Sequence, residues 1–261
     1  MREALIVSTA RTPIGKAYRG TYNNTNAPTL AGWAIKEAVK RAEVNPEEID
    51  DVIMGCGLQQ GTTHANVARN SSLSAGLPVT VSGMTIDRQC SSGMMAIATA
   101  AKQIICDDMN IVVGGGLESI SLVQNEKMNL DRYVDKNLVS NHKHIYMPML
   151  NTAEVVGKRY NISREDQDLY SYNSQMRTAN AQENGRFDKE IFPVKTKMGV
   201  YDKDTKEVSF VDKTLTKDEG NRPSTTLEGL STLKTVFEGG LITAGNASQL
   251  SDGASACVLM E

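Results

Sequence analysis

Within its first 120 residues the chain alternates short apolar runs with helical periodicity, and that alternation constrains its fold more than any other feature. Ala4–Ser8 is an apolar run ending at Thr9, after which Arg11-Thr12-Pro13 turns the chain. Over Thr29–Ala42, Leu30, Ala34, Ala38 and Ala42 recur at i+4 spacing, which predicts one face of a helix. Asp51–Met54 is a second apolar run closed by Gly55 and Gly57, and Ala65–Ala75 reads as a helix ended by Gly76 and Pro78. Val79–Ile86 reads as a strand. Ser92–Ile105 reads as a helix with Met94, Ile97, Ala98, Ala101 and Ile105 on one side, and Ile111–Val113 as a strand stopping at Gly114-Gly115-Gly116. Repeated strand–helix–strand units predict an α/β layered fold with a mostly parallel central sheet and helices packed on it.

The pattern changes near Ser121. The stretch to about Gly240 is rich in Asn, Asp, Lys and Tyr, and two helices stand out within it. One is Thr152–Tyr160; the other begins at Ser163, with Asp166 in capping-box position, and ends at Gly185. Residues 186–235 read as a charged, irregular surface excursion, and Ala254–Met260 is again an apolar strand that can rejoin the first sheet. These shifts divide the chain into a domain made of 1–120 and 246–261, with 121–245 inserted.

Composition excludes several classes. With 28 Lys+Arg against 31 Asp+Glu the net charge is −3, which argues against a globally basic nucleic-acid binder. The longest apolar runs, Met94–Ala98 and Ala256–Met260, fall far short of the ~20 residues that span a bilayer. The opening MREALIVSTA lacks the long apolar stretch and cleavage site of a signal peptide, so the chain reads as soluble and cytoplasmic, without membrane or nucleic-acid partners. Cys56, Cys90, Cys106 and Cys257 form no CxxC, and His64, His142 and His144 form no HxxxH. No metal site is expected, and free thiols are expected over disulfides.

The most informative local feature is Thr85-Ile-Asp-Arg-Gln-Cys90-Ser-Ser-Gly93, between a strand and a helix. A cysteine at a helix N-terminus lies beside free N–H groups and the positive end of the helix dipole, which favour a thiolate. Ser91, Ser92 and Gly93 are small enough to let a substrate reach the sulfur. Local spacing alone fits a buried structural cysteine as well as a nucleophile.

Resemblance separates the two. The run RQCSSGMMAI resembles the acyl-enzyme signature of the thiolase family. STARTPIGKAYRG at 8–20 resembles that family's opening, and GGGLESIS at 114–121 its Gly-Gly-x-Glu-Ser segment. NTAEVVGKRYNISREDQD at 151–168 and GRFDKEIFPV at 185–194 resemble its inserted loop domain, and TAGNASQLSDGASACVLM at 243–260 the close of its N-terminal half. The matches are collinear over essentially the whole chain.

The resemblance implies a thiolase-like N-terminal half-fold and an enzyme acting on acyl-coenzyme A thioesters, with coenzyme A and acyl-CoA as substrates and no separate cofactor. Cys90 would attack a thioester carbonyl to form an acyl-enzyme, and the acyl group would pass to coenzyme A or to the α-carbon of acetyl-CoA. The inserted domain would bind coenzyme A, with Arg222 towards the nucleotide end, Met149 and Leu150 lining the pantetheine channel, and Ser248 near the pantetheine amides. A homo-oligomer, dimer or tetramer, is implied as well, with the central sheet extended by its equivalent.

There are departures. Thiolases supply a histidine in Gly-His-Pro and a second cysteine in Cys-Gly-Gly from a second half, and neither motif occurs in these residues. The C-terminal catalytic domain is therefore expected to be missing from this chain, and a non-catalytic acyl-CoA-binding or partner subunit is the alternative. Asp87 stands where Asn is common, Gln124 where some members carry histidine, and Pro148-Met149 where biosynthetic members carry His-Met. That last pair, with RPSTTLEGL, leans towards the degradative 3-ketoacyl-CoA branch. A related ketoacyl synthase fits less well, because the Gly-Asn-Ala-Ser segment and the inserted domain favour thiolase.

Overall fold

The structure is a computed structural model and describes residues 2–261. The chain forms two compact units. The first gathers residues up to 128 with 187–220 and 250–261; the second comprises 129–186 and 221–249.

The strands, all in the first unit, are β1 (Leu5–Arg11), β2 (Gly15–Lys16), β3 (Asp51–Gly55), β4 (Ser82–Ile86), β5 (Ile111–Ser119), β6 (Val194–Tyr201), β7 (Val208–Leu215) and β8 (Ser251–Met260). Six of them form one sheet in the order β1-β8-β5-β3-β4, with β2 also paired to β8. Pairing is parallel across β5-β3-β4, but β8 runs antiparallel to both β1 and β5, so the sheet is mixed. The parallel part is the βαβ portion; β8 arrives from the far end of the chain and needs no right-handed crossover.

Both faces of this sheet are covered, and the two-residue side-chain period shows how. On one face Val52 and Met54 of β3, Val113 of β5, and Ala254, Ala256 and Val258 of β8 pack with α1 (Ala27–Ala42) and α2 (Val67–Ser74). On the other, Ile53, Val112, Cys257 and Leu259 pack with Ala96, Ala100 and Ile104 of α3 (Ser92–Cys106). The stripe expected on α1 is the buried one: Leu30, Ala34 and Ala38 are fully inaccessible. Helix α3 follows expectation in part: Ala96, Ala100 and Ile104 face the sheet, Ile97 and Ala101 of the expected stripe pack beside them, and its Met94, Ala98 and Ile105 are exposed, Met94 at 76%. α3 is thus apolar on both sides, with only one covered within the described residues.

Three further expectations change. β5 does not stop at Gly114 but runs through all three glycines to Ser119, because β8 pairs with it along the full length. Residues 186–235 are not irregular: β6 and β7 form an eight-residue antiparallel ladder. The 121–245 boundary is also not respected, since 187–220 packs with the first unit. Arg11 explains this attachment. Its guanidinium donates to Glu190 (2.9 Å) and bidentately to Asp218 (2.7 and 3.0 Å), and lies 5.4 Å from the Phe187 ring centroid. Nearby, the Glu219 carboxylate accepts from the Lys16 and Thr21 N–H groups, and Val194 and Leu215 enter the core.

The first unit also holds the one-turn α4 (Ile120–Val123), and the helices of the second unit are α5 (Lys136–Asn141), α6 (Met149–Arg159), α7 (Arg164–Glu183) and α8 (Leu227–Ser231). α6 starts three residues earlier than its periodicity suggests, with Pro148 as N-cap. α7 opens on the expected Ser163, whose Oγ accepts from the Asp166 N–H at 3.0 Å. Among the described residues no helix is long and apolar enough to cross a membrane.

Candidate active site

Cys90 sits at the tip of the turn joining β4 to α3, and its side chain is exposed. The turn is built from its own sequence. The Asp87 carboxylate accepts from the Gln89 N–H (2.7 Å), so this departure from the family pattern acts as a turn-closing group. Gln89 adopts φ 49°, a left-handed conformation that a side chain disfavours and that sharpens the turn. Ser92 Oγ accepts from the Arg88 N–H (2.8 Å) and donates to the Gln89 carbonyl (2.6 Å), while Ser91 Oγ donates to the Arg88 carbonyl (2.9 Å). The two serines therefore do more than leave room for a substrate. They lock the backbone on either side of Cys90.

Close approach of α3 to the sheet sets the height of this turn. A Cβ on Gly55 would lie 2.1 Å from the Ser92 carbonyl carbon, and one on Gly116 would lie 3.0 Å from the Gly93 Cα. The first turn of α3 thus rests on bare backbone of β3 and β5. The Ser92 N–H donates to the Gln89 carbonyl (3.0 Å) and the Met95 N–H to the Ser91 carbonyl (3.0 Å), and the positive end of the helix dipole lies on the Cys90 side.

Glu118, in the Gly-Gly-x-Glu-Ser segment, is a neighbour to which the sequence assigned no role. Its carboxylate accepts from the Gly57 N–H (2.9 Å) and from Cys56 Sγ (3.5 Å). A Cβ on Gly57 would lie 3.3 Å from Glu118 Oε2 and 3.6 Å from the Gln89 carbonyl, so this loop backs directly onto the Cys90 turn.

The four cysteines are all free. Burial, then the Glu118 charge, pushes the Cys56 thiol up to about 12; burial pushes Cys257 up to about 11. Cys106 is exposed at the last position of α3. Since the thiolate is the nucleophile, iodoacetamide at pH 8 should label Cys90 and Cys106 and spare Cys56 and Cys257 until the chain is denatured. Peptide mapping by mass spectrometry reads this directly, and early labelling of Cys56 would contradict the burial argument.

The other predicted site residues all lie in the second unit. Met149 and Leu150 are exposed neighbours in the first turn of α6. Arg222 is exposed ahead of α8, and its backbone N–H donates to Gln175 Oε1 (2.7 Å). Ser248 is exposed just after a tight turn in which the Ala247 N–H donates to the Thr243 carbonyl (3.0 Å). Among the described residues no group of three or more His, Cys, Asp or Glu side chains is placed to hold a metal ion.

Comparison with known proteins gives a consistent picture. A family model described as the N-terminal domain of thiolase matches residues 4–261. The chain is 42% identical to a 3-ketoacyl-CoA thiolase of Bacillus subtilis, covering 100% of this chain and 66% of the relative. It is 39% identical to the peroxisomal 3-ketoacyl-CoA thiolase 1 of Arabidopsis thaliana, covering 99% of this chain and 57% of the relative. The crystal structure of the Bacillus anthracis acetyl-CoA acetyltransferase superposes with a TM-score of 0.84 at 36% identity, over 100% of this chain and 66% of that one. The chain therefore spans 57–66% of the lengths of these similar proteins.

Proposed function

This chain belongs to the thiolase family, and from that premise we propose that it is an acyl-coenzyme A acyltransferase whose nucleophile is Cys90. The observation that carries the reading is the geometry of the exposed Cys90 sulfur, on a turn held by a strained Gln89 and two serine hydroxyls at the start of α3. In the reaction the Cys90 thiolate attacks the thioester carbonyl, a carbon–sulfur bond forms, and the coenzyme A thiolate leaves. In the Claisen direction the acyl group then passes to the α-carbon of acetyl-CoA, which gives up a proton. In thiolysis the Cys90 thiolate instead attacks the C3 carbonyl of a 3-ketoacyl-CoA, the C2–C3 bond breaks, acetyl-CoA leaves as its α-carbon takes up a proton, and the acyl group passes from Cys90 to coenzyme A.

Proton removal from the thiol and proton transfer at the α-carbon need acid–base groups. We assign these to further polypeptide that covers the exposed face of α3, where Met94, Ala98 and Ile105 lie bare. The second unit supplies the coenzyme A contacts in this reading, through Met149, Leu150, Arg222 and Ser248. A homo-oligomer fits the outer edge of β4, which among the described residues pairs with β3 alone and leads directly into the Cys90 turn. Four free thiols fit a cytoplasmic setting, and the degradative branch fits Pro148-Met149.

Incubation with acetyl-CoA followed by intact-mass measurement tests the central point. One acetyl group should add to the chain, and peptide mapping should place it on Cys90. Absence of any adduct, with coenzyme A binding measurable and the acid–base groups supplied by the further polypeptide, would leave the non-catalytic acyl-CoA-binding reading in its place.

A further inference from the structure

The second unit contains a buried carboxylate that the acyl-transfer chemistry does not use. Glu154 lies on α6, only 6% exposed, one helical turn beyond Met149 and Leu150. Its Oε1 accepts two backbone donors, the N–H groups of Leu241 (2.8 Å) and Ile242 (2.9 Å). Its Oε2 is buried without a hydrogen-bond partner among the described residues, an arrangement that costs free energy and calls for a reason. The backbone has been cleared to permit it, since a Cβ on Gly240 would lie 2.5 Å from Glu154 Oε1 and one on Gly157 2.9 Å from Leu241 Cδ1.

Beyond Ile242 the chain is held without slack. The Asn246 side chain accepts from the Thr243 N–H (2.8 Å) and donates to the Leu241 carbonyl (3.1 Å) and to Asp168 (3.2 Å). Asp168 is itself buried and paired with Arg164 at 2.7 Å. Thr243 Oγ1 accepts from the N–H groups of Gly245 and Asn246, which closes the turn that delivers Ser248 to the surface. Glu154 is thus the joint between the helix that presents Met149 and Leu150 and the turn that presents Ser248.

We infer that Glu154 is a positioning residue for coenzyme A: through the Leu241 and Ile242 N–H groups it sets Ser248 in register with the start of α6. This rests on the proposed reading of Ser248 as a coenzyme A contact. The test is calorimetric titration of the chain with coenzyme A in a double-mutant cycle. Ser248→Ala should weaken binding about fivefold and Glu154→Ala about tenfold, each the effect of a lost hydrogen-bonded contact or its geometry. The double variant should bind about as weakly as Glu154→Ala alone and not by the product of the two factors, because Ser248 contributes only where Glu154 places it. Glu154→Gln keeps the acceptor oxygen and should restore affinity to within about twofold of the parent. Iodoacetamide labelling of Cys90, on the first unit, should be unchanged throughout.

If Glu154→Ala does not fold, Glu154→Met keeps the volume, removes the acceptor and replaces it in the cycle. A fully additive cycle, or a folded Glu154→Gln that binds as weakly as the variant lacking the acceptor, overturns the inference while leaving Ser248 a contact. Parent-like binding by Ser248→Ala overturns it at its premise instead.

Discussion

Replacing Cys90 with alanine is expected to abolish acetyl transfer to the chain while leaving its stability within about 0.5 kcal/mol of the parent. The two halves of that expectation have separate causes. The side chain is exposed and enters neither core cluster, so its removal opens no cavity. The turn around it is closed by Asp87, Ser91 and Ser92, none of which uses the sulfur. Chemically, though, nothing nearby can stand in. Ser91 and Ser92 have their hydroxyls committed to backbone carbonyls, and an alcohol is a far poorer nucleophile than a thiolate at neutral pH. Cys90→Ser should therefore form adduct at least about a thousandfold more slowly. Cys106→Ala is the matched control, since Cys106 is the other exposed thiol and ends the same helix. It should label like the parent. Full acetyl labelling of Cys90→Ala would end the nucleophile assignment, and a label that moved with Cys106 would transfer the role there.

How much of this was legible in the sequence depends on where the information lies. The β–α alternation and the α1 stripe were readable because burial repeats at a fixed period, and the position of Cys90 between β4 and α3 because strand and helix signals meet there. The β6–β7 hairpin was not, because seven of the eight residues of β7 are exposed and its strands are held by backbone pairing, not by an apolar face. The attachment of 187–220 was hidden for another reason. It depends on Arg11 meeting Asp218, 207 positions away, and no local pattern encodes so distant an ion pair. Helix α3 misled in a third way. Both of its sides are apolar, and periodicity marks an apolar side without saying which one meets the sheet. Of the site residues, Glu118 and Glu154 were inside motifs already quoted, but only the geometry gives them partners.

The glycines give the sharpest case. By its position in the cysteine motif, Gly93 reads as one of three small residues that let a substrate reach the sulfur, and Gly55 as a strand terminator. The structure adds a second role, close approach of α3 to the sheet, and gives it to Gly55. A Cβ on Gly93 would meet nothing nearer than 3.8 Å, whereas one on Gly55 would lie 2.1 Å from the Ser92 carbonyl carbon and 2.3 Å from the Gly93 nitrogen. Those are backbone atoms of the first turn of α3 and cannot swing aside as a side-chain end would. Gly55→Ala is therefore expected to destabilise the chain by at least about 3 kcal/mol, or to lift the N-terminus of α3 off β3. Either response displaces the Cys90 turn, so acetyl labelling should fall with stability. Gly93→Ala should be tolerated, and an alanine in a helical position can even add a few tenths of a kcal/mol. Denaturant unfolding of the two variants alongside the parent, with acetyl labelling of each in native buffer, decides the matter. If Gly55→Ala unfolds within about 1 kcal/mol of the parent and labels normally, α3 does not rest on bare strand backbone, and the physical account of how Cys90 is held must be given up.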